Sequence, residues 1–167
     1  PATYHQGRAE AEIFYALARH SLGQREAVVE ELRKRLHSES LPDLVRSRLF
    51  GALIFIHILS GESDKAIHVT LQMRDFLAES GTLYVETWIP YLQARVHYGC
   101  NNLKAAAERF AKHVENRYAV HVRAAIDGLA GLTLTHQALS QTEEANSAMS
   151  QLLEFALQLR EPSYASI

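Results

Sequence analysis

Asn101-Asn102-Leu103-Lys104-Ala105-Ala106 separates two stretches of helical periodicity, and its shape recurs three times in the chain. The counterparts are Gly23-Gln24-Arg25-Glu26-Ala27, Gly61-Glu62-Ser63-Asp64-Lys65-Ala66 and Ser140-Gln141-Thr142-Glu143-Glu144-Ala145. Each passes from a small or polar turn through polar, mostly acidic residues to an alanine. Ala27, Ala66, Ala106 and Ala145 are 39, 40 and 39 residues apart. Chance does not readily give three near-equal spacings, whereas a fixed period is the mark of a repeat architecture. One helix precedes each turn and another follows it. The alanine falls early in the second helix, where a small side chain lets the two helices cross closely, so all four alanines are expected to be buried.

Working outward, the flanking segments have few helix breakers. Only Pro1, Pro42, Pro90 and Pro162 occur, and the intervals are rich in Ala, Leu, Glu, Gln and Arg, which favour helix. Apolar residues recur at spacings of three and four, as in Ile13, Leu17 and Ala18 or Val28, Leu32 and Leu36. Sustained strand alternation is absent. Gly23, Gly61, Gly81 and Gly99 fall where one apolar pattern gives way to the next, as helix-ending glycines do. Ser63, Thr82, Asn102 and Thr142 suit N-caps, and Pro42 suits a first turn. The expected helices are 8–22, 25–37, 42–60, 63–80, 83–99, 102–115, 118–139 and 142–159. Pro90 should either kink the fifth or mark its start. Short connections make neighbouring helices antiparallel. The expectation is a single all-α domain over 1–167: four antiparallel helical hairpins, about 8–37, 42–80, 83–115 and 118–159.

Composition narrows the function. The 167 residues carry 17 Lys and Arg against 19 Asp and Glu, a formal charge of -2. A nucleic-acid surface needs a basic excess, so direct nucleic-acid binding is not expected. Cys100 is the single cysteine, which forbids an internal disulfide and points to a reducing, cytoplasmic setting. No apolar run approaches the ~18 residues of a membrane span, and no signal segment opens the chain. The chain begins on Pro1 and reads as a piece of a longer protein.

The hairpin pattern resembles the tetratricopeptide repeat, TPR. That motif has a small residue inside the first helix, an alanine opening the second, and a large apolar residue four later. Ala94, Ala106 and Phe110 fit it best; Glu31, Thr70 and Met149 stand at the last position elsewhere. The period exceeds the usual 34. The stretch from Tyr91 to Ala106, Arg117-Tyr118-Ala119 with its following helix, and Leu152-Leu153-Glu154-Phe155-Ala156 resemble the sensor repeats of MalT-like, LuxR-type transcription activators of the signal-transduction ATPase class. The resemblance implies a right-handed TPR-like superhelix serving as a sensor or partner-recognition module. That family's phosphate loop and helix-turn-helix have no counterpart in this stretch. A protein or peptide partner, or a small-molecule effector, is expected, with no cofactor. The alternative is a pure protein–protein scaffold without a small ligand.

Trp88, Tyr91, Arg95 and Tyr98, at offsets of 3, 4 and 3, share one helical face. In a TPR hairpin that face turns into the concave groove, where aromatics stack on a ligand and an arginine fixes an acidic group. The same stripe also suits a core packed on the next helix. Asp127 lies in an otherwise apolar run, Ala124 to Leu132, and needs a partner if buried; Arg123 stands four residues earlier. Asp127 and Arg48, at matching positions of the adjacent repeats, are expected to flank the aromatic set.

Other features carry less. His57, His97 and His136 each precede a repeat alanine by nine residues. Repeats stack on the order of 10 Å apart, too far for one zinc held at ~2 Å, so packing is expected rather than metal binding. No nucleophile elbow, metal-ligand spacing or paired-carboxylate motif occurs, and no catalytic residue is expected. Cys100 reads as an ordinary thiol at a turn. Arg33-Lys34-Arg35 follows Glu26, Glu30 and Glu31 and reads as a solvated helix end. The last helix carries Leu152, Leu153, Phe155, Ala156, Leu157 and Leu159, more apolar surface than one partner helix covers. Another repeat or self-association is expected at that end.

Overall fold

The computed structural model of the chain describes residues 2–37, 41–80, 84–120 and 122–159, and among them it is all-α, with no strand. In chain order the helices are α1 (Ala2–Ser21), α2 (Arg25–Leu36), α3 (Asp43–Leu59), α4 (Ser63–Ser80), α5 (Tyr84–Gly99), α6 (Leu103–Glu115), α7 (Val122–Ala138) and α8 (Thr142–Gln158). A single 3-10 turn, Arg117–Ala119, lies between α6 and α7, so the seventh helix starts later than its pattern suggests. Pro90 lies inside α5 and does not mark its start. Gly81 and Thr82, expected at the α4–α5 turn, fall outside the described residues.

The chain forms two compact units, Pro1–Val85 and Glu86–Ile167. In the first, α3 packs on α1, α2 and α4. Covered from several sides, α3 is apolar nearly all round, with Leu49, Ala52, Leu53, Ile54 and Ile56 buried. Val28 and Leu32 of α2, and Ala66, Val69, Met73 and Leu77 of α4, complete this core. In the second unit α7 packs on α6 and α8. Here the core is aromatic at its centre: Tyr91 of α5 lies 6.4 Å from the Phe110 ring and 5.2 Å from the His113 ring of α6.

Close approach of α6 and α7 depends on two glycines. A Cβ placed on Gly128 would collide with the His113 ring, and one on Gly131 would collide with the Phe110 ring. Glycine is therefore required at both positions by space, not by backbone conformation. His113 is fully buried, and its ring nitrogen Nε2 bonds the Ala124 carbonyl at 3.0 Å. That bond satisfies a polar atom which burial would otherwise make costly.

One turn is built four times. After α1, α3, α5 and α7 the chain passes through a left-handed residue: Gly23 (φ 79), Gly61 (φ 69), Asn101 (φ 57) and Ser140 (φ 59). The next residue, Gln24, Glu62, Asn102 or Gln141, sends its N–H back to the carbonyl of Arg19, His57, His97 or His136, closing a Schellman motif. That residue then opens the following helix, its carbonyl accepting the N–H of Val28, Ala66, Ala106 or Ala145.

This register corrects one expectation. Ala66, Ala106 and Ala145 are buried at 0, 0 and 3% exposure, but Ala27 is exposed, and Val28 takes the equivalent place. The Glu26-Ala27 pair resembles the other repeats in composition while lying one residue out of register. The turn residues differ too. Asn101 and Ser140, not Gly99, carry the left-handed conformation in the second unit. Asn102 occupies the N-cap of α6 without a side-chain capping bond, and Ser63 and Thr142 lie just inside their helices.

Candidate functional site

The N-cap residues Gln24 and Gln141 make no side-chain capping bond to their own helices. At three of the four turns the residue in the cap position reaches back to the preceding helix instead. Arg19 Nε donates to Gln24 Oε1 at 2.9 Å. His57 Nδ1 lies 2.7 Å from Glu62 Oε2, and His136 Nδ1 lies 2.8 Å from Gln141 Oε1. Each clamp spans five residues and ties the end of one helix to the start of the next. The histidine ladder is thus polar at two of its rungs, His57 and His136. A carboxylate acceptor fixes Nδ1 of His57 as the protonated nitrogen.

The α3–α4 clamp grows into a charged cluster. Glu62 Oε1 also accepts from Arg25 Nη2 at 2.8 Å and from Lys65 Nζ at 2.7 Å. These donors hold the Glu62 carboxyl down at about 2: the Lys65 hydrogen bond first, then His57, with the Arg25 and Lys65 charges adding and burial opposing. The cluster opens into a polar cleft of about 280 Å³ lined by Arg25, Glu26, Glu30, Arg33, His57 and Glu62, among others. Three cations, Arg25, Arg33 and Lys65, face three carboxylates there. Glu62 already accepts from three donors, so the cleft offers no net charge to attract an ion.

The aromatic set separates by depth. Trp88 is 9% exposed and Tyr91 2%, their rings 5.3 Å apart. Arg95 and Asp127 are half-buried, and Tyr98 is exposed. Tyr91 donates its hydroxyl to Asp127 Oδ2 at 3.4 Å. Burial pushes the Tyr91 hydroxyl up to about 12; Arg95 opposes this and Asp127 adds to it. Tyr91 is therefore a neutral donor that gives the half-buried Asp127 a hydrogen bond, a partner that sequence spacing alone would have sought in Arg123. Arg48 is buried in α3 of the first unit.

A different surface is open. On α8, Met149, Leu153 and Leu157 are 40, 58 and 62% exposed and follow one another at i, i+4 and i+8. With Ser150, Glu154 and Gln158, the two leucines line a shallow open cavity of about 540 Å³. The adjoining face of the helix, Ala145, Ala148 and Phe155, is buried. The sequence signals the excess apolar surface at this end; which residues stay exposed becomes legible only when the α7–α8 packing selects one face.

No helix among the described residues is long and apolar enough to cross a membrane. No protein-family model matches the chain, and no curated protein matches it.

Proposed function

We propose that the chain is the partner-binding segment of a MalT-like or related bacterial signalling protein. In this reading it is a TPR-like right-handed superhelix of four hairpins, acting in the cytoplasm as a sensor or recruiting module and performing no catalysis. The four near-equally spaced Schellman turns support the repeat reading. The apolar strip of Met149, Leu153 and Leu157 carries the functional one. A strip open along its length suits the face of a protein helix, whereas a small effector needs a concave pocket that encloses most of its surface. Half-buried Arg95 and Asp127 and the exposed Tyr98, on α5 and α7, are groups of the kind that give a partner polar contacts.

A photo-crosslinking residue in place of Leu153, in the protein expressed in its host, tests this. A single defined protein adduct is expected. It should vanish when Leu157→Glu is added, and it should not form from the exposed Glu143 on the same helix. Labelling from position 153 no greater than that from position 143 overturns the reading.

A further inference from the structure

The repeat register says what kind of helix fits the α8 strip. Aligned on their opening residues, Asn102 and Gln141, α6 and α8 place Phe110 with Met149, His113 with Leu152 and Val114 with Leu153. In α6 these residues are buried, at 1, 0 and 5% exposure, and α7 packs on that helix with Gly128 over His113 and Gly131 over Phe110. In α2 the same register puts Leu32 with Phe110; Leu32 is 4% exposed, and α2 packs on α3. The position corresponding to Gly131 in α3 is Ala52, fully buried. Twice, then, the helix that packs on the large residue's helix has Gly or Ala at the corresponding register, and at Gly131 the small residue meets the large one, Phe110, directly. In α8 the corresponding Met149 and Leu153 stand exposed.

From this, and resting on the reading of α8 as an interaction face, we propose that α8 receives a helix of α7-like chemistry. Its occupant has a glycine or alanine facing Met149, a second small residue three positions earlier, and apolar residues flanking the pair. This is the inter-helix packing of α6 with α7 continued by one step. A bulky aliphatic helix would ride too high to reach both Met149 and Leu153, because only a small residue lets two helix backbones approach this closely. Leu152 in place of His113 removes the bond to a facing carbonyl, so the contact on α8 is apolar throughout its centre.

The probe is a synthetic peptide with the sequence of Val122–Ala138, held helical by a hydrocarbon staple between the exposed positions 134 and 138. Its fluorescence anisotropy is titrated with the whole chain. Saturable binding is expected, weakened at least tenfold when the peptide carries Gly128→Leu and Gly131→Leu, and weakened at least tenfold by Leu153→Glu in the protein. Leu153 is exposed, so Leu153→Glu should leave the melting curve in place, which separates lost binding from lost fold. Equal binding of both peptides, abolished by Leu153→Glu, overturns the small-residue occupant and leaves the interaction face standing. Absence of saturable binding, or binding indifferent to Leu153→Glu, overturns the occupant as well. The crosslinking yield from position 153 then judges the interaction face on its own.

Discussion

The two units build the same turn from different materials. In Pro1–Val85 both left-handed positions are glycine, and the clamp after each turn involves charge. Arg19 holds Gln24 and pairs with Glu31 at 2.5 Å, and Glu62 gathers His57, Arg25 and Lys65. In Glu86–Ile167 the left-handed residues are Asn101 and Ser140, and the His136–Gln141 clamp joins a histidine to a neutral amide. Gly99 of the second unit ends α5 without taking the left-handed position, and two further glycines, Gly128 and Gly131, stand at the helix crossing. The backbone hydrogen bonds of the Schellman motif are common to all four turns, so they define the repeat; the side chains around them are free to vary. Conformational freedom is concentrated at the turns in one unit, and space at the crossing in the other.

The sharpest way to break this contrast is at the crossing. Phe110 is almost fully buried between the Tyr91 ring and Gly131, so Phe110→Ala should cost about 3–5 kcal/mol, as other large core truncations do. Urea unfolding followed by circular dichroism measures it. A loss below about 1 kcal/mol would mean that the aromatic centre is not what holds the second unit together. Trp88→Ala is expected in the same range, with the blue emission of a buried indole before mutation.

Next comes the added methyl. Gly131→Ala places a carbon inside the Phe110 ring's volume, and overpacking of that kind costs roughly 1–3 kcal/mol. Gly61→Ala meets nothing within 4 Å and is strained only by its φ of 69. Stability of Gly131→Ala should therefore be restored in part by Phe110→Leu, while Gly61→Ala has no second-site rescue. Rescue of both, or of neither, in a double-mutant unfolding series would dissolve the distinction between space and conformation.

The Glu62 cluster gives a pH signature. Its carboxyl ordinarily titrates at 4.5 and is held at about 2 in the fold. A lowered carboxylate contributes stability that is complete above 4.5 and is lost as pH falls from 4.5 toward 2. Glu62→Gln should lower the melting temperature at pH 7 and make the fall between pH 4.5 and 2 shallower. Gln141, already an amide at the same turn in the second unit, makes Gln141→Ala a control with no such acid limb. An unchanged acid profile in Glu62→Gln would show that its donors are not held in the fold.

Most of the architecture was legible because helix period, scarce proline and regular turn spacing all act locally. Six of the eight segments emerge with ends within a residue of those observed; α1 starts six residues earlier than its apolar pattern suggests and α7 four later, and three of the four repeat alanines are buried. The first repeat misled because Glu26-Ala27 copies the local composition while the Schellman turn sets the register at Gln24 and Val28. The aromatic stripe illustrates a second kind of limit. Trp88, Tyr91, Arg95 and Tyr98 share a helical face, but the depth at which each lies depends on α6 and α7, which spacing within one helix does not contain. Gly128 and Gly131 were visible as glycines in an apolar run. Their role required knowing that His113 and Phe110 arrive opposite them.

The smallest effect is the most specific to the turn. Ser140 holds φ 59, where a Cβ crowds the following carbonyl, and a non-glycine residue bears roughly 1–2 kcal/mol there. Glycine removes that strain but loses more backbone entropy on folding, by roughly 0.5–1 kcal/mol, so Ser140→Gly should stabilise by a net of about 0.5 kcal/mol. For a chain of this size that raises the melting point by roughly 1–2 °C. Asn101→Gly at the equivalent turn should gain less, because asparagine tolerates the left-handed region through local hydrogen bonding of its side chain. The reverse change, Gly61→Ser, imports the second unit's solution into the first and should be destabilising by a similar amount. If Ser140→Gly instead destabilises, the Ser140 side chain contributes to the turn, and the two units differ in more than the residue that occupies the left-handed position.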